Sequence, residues 1–274
     1  MAAIAFSSPT RAFARILVYV AFTLVCIPVQ AVLVASRAPI RQRFPQWYHA
    51  RCLRLLGLRI ARHGTPSTAH PTLFVANHVS YLDITILGAE LPASFVAKAD
   101  VADWPFFGLL AKLQRTVFIA RDARRAAVQR DEMQHRLEAG DDLILFPEGT
   151  SDDGNRVLAF KSALFSVAER RPGGAALTVQ PVSIAYSKLD GLPMGRYLRP
   201  FFAWYGDMDL LPHMWAALSL GTVTVDVTFH DPVTIDQLGS RKALSQHCWS
   251  RVSQGVSDAL SGHREPEEPP AKAA

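Results

Sequence analysis

Cysteine is scarce in this chain: Cys26, Cys52 and Cys248 are the three present, far apart and in no CxxC pair. That spacing excludes a disulfide framework and fits a reducing compartment. Among the nine histidines, His63 and His70 stand near His78, but at spacings that match no zinc signature, so no metal is expected. A Gly-x-Ser-x-Gly segment is missing, and with it the sequence mark of a serine-esterase elbow. No zinc-finger, basic-zipper or RNA-binding pattern occurs, so nucleic acid is not an expected partner. There is no internal repeat. Two further absences are local: no formal charge between Ile16 and Ala35, and no acidic residue between Arg37 and Arg62, where seven arginines stand.

What is present begins with that uncharged run of twenty residues. As a helix it would reach about 30 Å, the hydrocarbon thickness of a bilayer. Pro28 and Gln30 count against a plain span, and a segment lying in the interface or packed with its neighbour as a hairpin is the alternative. The run is longer than the apolar core of a signal peptide, and no small-residue cleavage site follows it. Arg11 and Arg15 precede it and the heavier basic flank follows, so a spanning helix would keep the rest of the chain cytoplasmic. From Gln46 to Leu56, apolar residues at 48, 52, 55 and 56 have helical spacing. With its aromatics and arginines this helix can lie along a membrane surface or pack on the globular domain. A basic block beside an apolar segment points to anionic lipid headgroups; the net charge of the 274 residues is +5.

Beyond Thr72 short apolar strands alternate with helical patterns. Strands are predicted at Leu73–Ala76, Ser94–Ala97, Val117–Ala120, Leu143–Phe146, Leu177–Ile184 and Val223–Phe229. Helices are predicted at Ile84–Leu91, Pro105–Leu113, Asp122–Ala139, Ser162–Arg170 and Arg241–Leu260, with Gly140 as a helix stop. The expected class is α/β: a mostly parallel or mixed central sheet flanked by helices, with an N-terminal membrane-associated helical segment. The expected division is residues 1–65 for the membrane helix and basic amphipathic helix, 66–261 for the α/β domain, and 262–274 for a disordered tail. Lys188–Leu220 breaks the rhythm with an aromatic and aliphatic patch, expected at the core or domain edge, with membrane or acyl-chain contact as the alternative.

The candidate chemistry centres on Asn77-His78-Val79-Ser80-Tyr81-Leu82-Asp83, between a strand and a helix. Such turns project side chains from the strand ends, where open α/β sheets bind ligands. The same residues fit a capping box, with Ser80 capping the helix and Asp83 reaching back. Lys98, Arg121 and Glu148 follow the next three strands, and Gly149 and Thr150 follow Glu148. If these strands are parallel, His78, Lys98, Arg121 and Glu148 line one crevice; singly, each is also an ordinary strand-end charge.

With these residues the chain resembles the glycerolipid acyltransferase family that includes lysophosphatidic acid acyltransferases. Asn77, His78 and Asp83 match its Asn-His-x4-Asp motif; Phe118, Ile119 and Arg121 match the second motif. Phe146 to Thr150 match Phe-Pro-Glu-Gly-Thr without change, and Val179-Gln180-Pro181-Val182 matches the Val-Pro-Val-like strand. The chain departs from the pattern at Ser151, where many lysophosphatidic acid acyltransferases have arginine. Asp152 and Asp153 follow, with Arg156 and Lys161 as the next cations, and the second motif has Gln114-Arg115-Thr116 in place of its usual glycine. Lyso-ornithine lipid acyltransferases within the family are also similar.

The resemblance implies a membrane-bound enzyme that moves an acyl group from acyl-CoA or acyl carrier protein to the free hydroxyl of a lysolipid. His78 would be the general base and Asp83 its orienting partner. Lys98 and Arg121 would bind anionic groups of headgroup or donor, and Glu148, Gly149 and Thr150 would shape the acceptor site. No cofactor is implied. The implied acceptor is 1-acyl-glycerol-3-phosphate, giving phosphatidic acid, with lyso-ornithine lipid as the alternative; the implied location is a bacterial inner membrane, catalytic domain on the cytoplasmic side. A hydrolase using His78 on water and a non-catalytic lipid-binding protein are the rival classes.

Overall fold

The computed structural model of the chain describes residues 7–119 and 126–262. Strand β2 (Thr72–Ala76) is buried along its whole length, as an apolar run with neighbours on both edges and helices on both faces must be. The sheet runs in the order β1 (Leu58–His63), β8 (Val223–Phe229), β6 (Thr178–Leu189), β2, β5 (Leu143–Leu145), β3 (Ser94–Lys98), β4 (Val117–Ile119). A two-residue strand, β7 (Leu192–Pro193), pairs antiparallel with the end of β6. β6, β2, β5, β3 and β4 are mutually parallel; β8 is antiparallel to β6 and parallel to β1, so the sheet is mixed. Parallel pairing sends β2, β3 and β5 out at the same edge, which gathers the residues that follow them.

Alternation along β2 divides the interior. Phe74 and Ala76 face α2 (Arg43–Leu56), α3 (Leu82–Glu90) and α6 (Leu210–Ser219), packing with Cys52, Leu56, Ile86 and Leu218. Leu73 and Val75 face α5 (Ala126–Glu138) and α8 (Arg241–Ser261), packing with Leu137, Leu244 and Cys248. Two smaller helices, α4 (Phe107–Leu113) and α7 (Ile235–Leu238), complete the set.

Several elements differ from expectation. The arginine-rich flank includes β1, an edge strand on which Arg59 and Arg62 are exposed, as charged edges are. The predicted helix Ser162–Arg170 is a 3₁₀ helix over Ser162–Glu169. α4 begins at Phe107, because Phe106 has φ 64° and cannot continue a helix. Within Lys188–Leu220 lie the end of β6, β7, a short 3₁₀ turn and α6, with Phe202 and Ala203 buried. Residues 263–274 of the predicted tail and Arg121 lie outside the described residues.

The uncharged run forms α1 (Pro9–Ala35), long and apolar enough to cross a membrane. It is nevertheless tied to the domain along its length. The Arg15 guanidinium donates to the carbonyls of Leu218, Leu220 and Gly221 at 3.0, 2.8 and 3.2 Å, satisfying backbone acceptors at the end of α6. Thr23 Oγ1 and Tyr48 OH are 2.8 Å apart. Gln30 Nε2 donates to Arg41 O and Leu113 O at 3.0 and 2.9 Å, so the glutamine that counted against a free span fastens the helix to α4. Gly57 closes α2 in the left-handed region (φ 75°), and a Cβ there would lie 2.0 Å from the Arg15 guanidinium. The opposite face of α1 exposes Phe13, Leu17, Val18, Leu24, Val25, Val29 and Val32.

Candidate active site

The turn after β2 is pinned on both sides. Asn77 Nδ2 donates to Ile184 O at 2.9 Å and its Oδ1 accepts from Ile184 N at 2.8 Å, cross-linking β2 to β6 just before the histidine. Asn77 is therefore a strand clamp. His78 Nδ1 lies 2.9 Å from Asp83 Oδ2. The same oxygen accepts from the backbone N–H of Val79 and Ser80 at 2.7 and 3.0 Å, and Oδ1 accepts from Tyr186 OH at 2.8 Å. Asp83 is fully buried, and four donors are the compensation a buried carboxylate needs.

The capping box is half realised. Asp83 reaches back to Ser80 N–H, but α3 takes no side-chain cap at its N-terminus. Because Asp83 is surrounded by donors, the imidazole presents Nδ1–H to it, which leaves the lone pair on Nε2. The ring is stacked on Phe146, centroids 4.2 Å apart and planes 20° apart. An imidazole held by a carboxylate on one nitrogen and an aromatic face has one orientation from which to take a proton.

Glu148 is brought to the same turn without touching the imidazole. Its Oε1 accepts from His78 N at 2.9 Å and its Oε2 from Leu158 N at 3.1 Å, joining the β2 turn to the loop after β5. Burial pushes this carboxyl up to about 8, against the two N–H donors, with the nearby Asp83 and Asp152 charges adding to the rise. The folded state thus holds, between about pH 4.5 and about 8, a proton that the unfolded chain releases, and stability falls as pH rises through that window. Glu148→Gln is expected to remove this fall, so that wild type loses a few kcal/mol more than the variant between pH 5 and 8; urea unfolding at both values measures it.

Two more loops close the site. Asp152 N donates to His78 O at 3.3 Å, and Trp204 N donates to Val79 O at 2.9 Å. The Ser151 hydroxyl donates to Trp204 O. Gly149 has φ 68°, a conformation that glycine adopts without strain. His78, Lys98, Gly149, Thr150, Ser151 and Trp204 line one end of a cavity of about 550 Å³ that continues between α1, α2 and α4 past Tyr19, Thr23, Gln30, Tyr48 and His49. That volume is in the range of small-molecule sites. His63 and His70 are elsewhere, beside Asp226 and Asp142.

Residues 59–185 match the family described as Acyltransferase. The chain is 43% identical over 261 residues to the lyso-ornithine lipid O-acyltransferase of Brucella abortus, covering 94% of this chain and 98% of that protein. The chain belongs to the glycerolipid acyltransferase family. It is also 34% identical over 207 residues to the 1-acyl-sn-glycerol-3-phosphate acyltransferase of Neisseria gonorrhoeae, with 74% of this chain and 76% of that protein aligned. The crystal structure of the 1-acyl-sn-glycerophosphate (LPA) acyltransferase from Thermotoga maritima has the same fold, with TM-score 0.63 at 20% identity over 94% of this chain and 100% of that one.

In this acyltransferase the sequence brought out His78, Asp83, Lys98, Glu148, Gly149 and Thr150, and the fold gathers all six at one sheet edge. Tyr186 and Trp204 join the site with no signal in the sequence. Tyr186 is a mid-strand tyrosine in β6 with no local mark of a role, and it meets Asp83 from 103 residues away. In the sequence Trp204 is one member of an aromatic patch. Phe146 is a motif position, and nothing in the sequence marks it as the ring that carries the imidazole.

Proposed function

We propose that this acyltransferase transfers a fatty acyl group from an acyl thioester to the free hydroxyl of a lysolipid, with His78 as general base. The observation that carries it is the His78–Asp83 pair at 2.9 Å, opening on the long cavity. Nε2 takes the proton of the acceptor hydroxyl as its oxygen attacks the thioester carbonyl. The C–O bond forms, the C–S bond breaks, and the imidazolium returns the proton to the departing thiolate. Asp83 stays ionised, holding the tautomer and stabilising the imidazolium. Lys98 lines the same cavity and is suited to an anionic group of the donor, acyl-CoA or acyl carrier protein; Arg121 is assigned the same task from its motif position alone. Gly149 and Thr150 shape the acceptor end.

The acceptor we favour is lyso-ornithine lipid. The greater identity to the Brucella enzyme supports it, as does Ser151, which puts no cation where a phosphate-binding arginine is common. The Neisseria relative favours 1-acyl-glycerol-3-phosphate as the second reading. The location we propose is the cytoplasmic face of a bacterial inner membrane. The seven large apolar side chains exposed on α1 are each about half covered already, and gain roughly 1 kcal/mol apiece when covered fully. Because α1 is fastened at Arg15, Thr23 and Gln30, that face enters the bilayer while the helix lies against the domain. Arg43, Arg51 and Arg54 of α2 are exposed for anionic headgroups.

Protein reconstituted in lipid, given labelled acyl-CoA and a panel of acceptors, is expected to acylate lyso-ornithine lipid at least about tenfold faster than 1-acyl-glycerol-3-phosphate. Equal or faster turnover of the phosphate acceptor would overturn the acceptor assignment. Release of free fatty acid without transfer would make the protein a hydrolase.

A further inference from the structure

The loop after Glu148 has two candidate cations for the acceptor, and the geometry separates them. Arg156 is turned to solvent, 73% exposed, with its Nε on Asp152 at 2.9 Å. Ser151, where an arginine is common in relatives that handle phosphate, spends its hydroxyl on Trp204 O. Lys161 is exposed as well, but it is anchored back to the turn. Its backbone N–H donates to Pro147 O at 2.9 Å, which returns the chain to the start of the Pro-Glu-Gly turn. Its side chain then runs back across Gly149: a Cβ built on Gly149 would stand 2.6 Å from Nζ, 3.4 Å from Cε and 3.5 Å from Cδ. The space that Gly149 leaves open is filled by an ammonium group. Gly149, Thr150 and Ser151 line the end of the cavity that holds His78. Among the described residues Lys161 Nζ has no carboxylate within ion-pair distance and no hydrogen-bond acceptor.

We propose that Lys161, lying over Gly149 beside the cavity mouth, binds the anionic group of the acceptor headgroup. This deepens the lysolipid acyltransferase reading and rests on it. An ammonium on a flexible stem serves either a carboxylate or a phosphate monoester as a point charge. An ornithine unit supplies a carboxylate. Lys161 is a specificity residue here: it acts on the acceptor's headgroup, away from the reacting oxygen.

Steady-state kinetics of the full chain in mixed micelles, with acyl-CoA as donor, test this with Lys161→Met and Lys161→Arg. With lyso-ornithine lipid, Lys161→Met is expected to raise the acceptor KM at least about tenfold, with kcat and the acyl-CoA KM within about twofold of wild type. Lys161→Arg should recover most of the loss. The methyl ester of the acceptor separates charge recognition from structural damage: wild type should lose a similar factor on the ester, and Lys161→Met should lose nothing further. An acceptor KM within twofold of wild type, an equal loss on acid and ester, or a rise confined to the acyl-CoA KM would each overturn the proposal. If wild type instead uses only 1-acyl-glycerol-3-phosphate, the ornithine assignment fails. The same KM measurement on that phosphate acceptor still decides the role of Lys161, since a tenfold rise supports it and an unchanged KM refutes it.

Discussion

His78→Ala is expected to lower acyl transfer by about 10²–10⁴-fold, the range that a positioned general base contributes, while the protein keeps its fold and binds lysolipid. Retention of the fold follows from the construction of the turn. The backbone bonds that shape it, His78 N to Glu148, Val79 N and Ser80 N to Asp83, and Trp204 N to Val79 O, use no atom of the imidazole. What the substitution removes is Nε2 and the ring lying on Phe146. The loss should fall on kcat, because the proton leaves the acceptor hydroxyl only as the transition state forms. Circular dichroism with a lysolipid-binding assay checks the fold, and labelled acyl transfer checks the rate. Wild-type turnover in this variant would remove His78 from the mechanism. A variant that neither transfers nor binds would point to a structural histidine.

Asp83→Asn is expected to cost a similar factor, about 10²–10⁴-fold, without a comparable loss of stability. The amide is nearly isosteric, and its oxygen can remain where Oδ2 now accepts from His78 Nδ1, Val79 N and Ser80 N. Its NH₂ then faces Tyr186, whose hydroxyl can turn from donor to acceptor. The negative charge beside the imidazolium is lost, and the tautomer is no longer held by an acceptor-only group. Since Asp83 acts through His78, the double variant His78→Ala/Asp83→Asn should transfer no more slowly than His78→Ala alone. Additive losses in that cycle would mean that Asp83 serves the reaction independently, and a collapse of thermal stability in Asp83→Asn would reduce its role to supporting the turn.

Much of this site was legible in the sequence because its parts are local. His78 and Asp83 are five residues apart across one strand-to-helix turn, and Glu148 to Thr150 sit together in another. Apolar runs long enough for buried strands place both turns at strand ends, and parallel pairing is enough to bring them to one edge. Where local pattern misled, a distant contact was the cause. Ser80 had the spacing of a cap, but Asp83, satisfied also by Tyr186 from β6, took over the turn. β1 was obscured by its arginines, which a strand at the sheet edge, paired only with β8, can carry exposed.

The sequence alone determined the α/β class, the order of most elements, the paired histidine and aspartate, and a long apolar helix followed by arginines. Those follow from periodicity and from neighbours in the chain, which a string of residues contains in full. Only the tertiary structure decided that α1 lies fastened along the domain by Arg15 and Gln30, that Phe146 and Tyr186 hold the two members of the pair, and that Lys161 returns over Gly149. Each of these depends on which elements the fold sets side by side, and a residue's neighbours in the chain do not specify that.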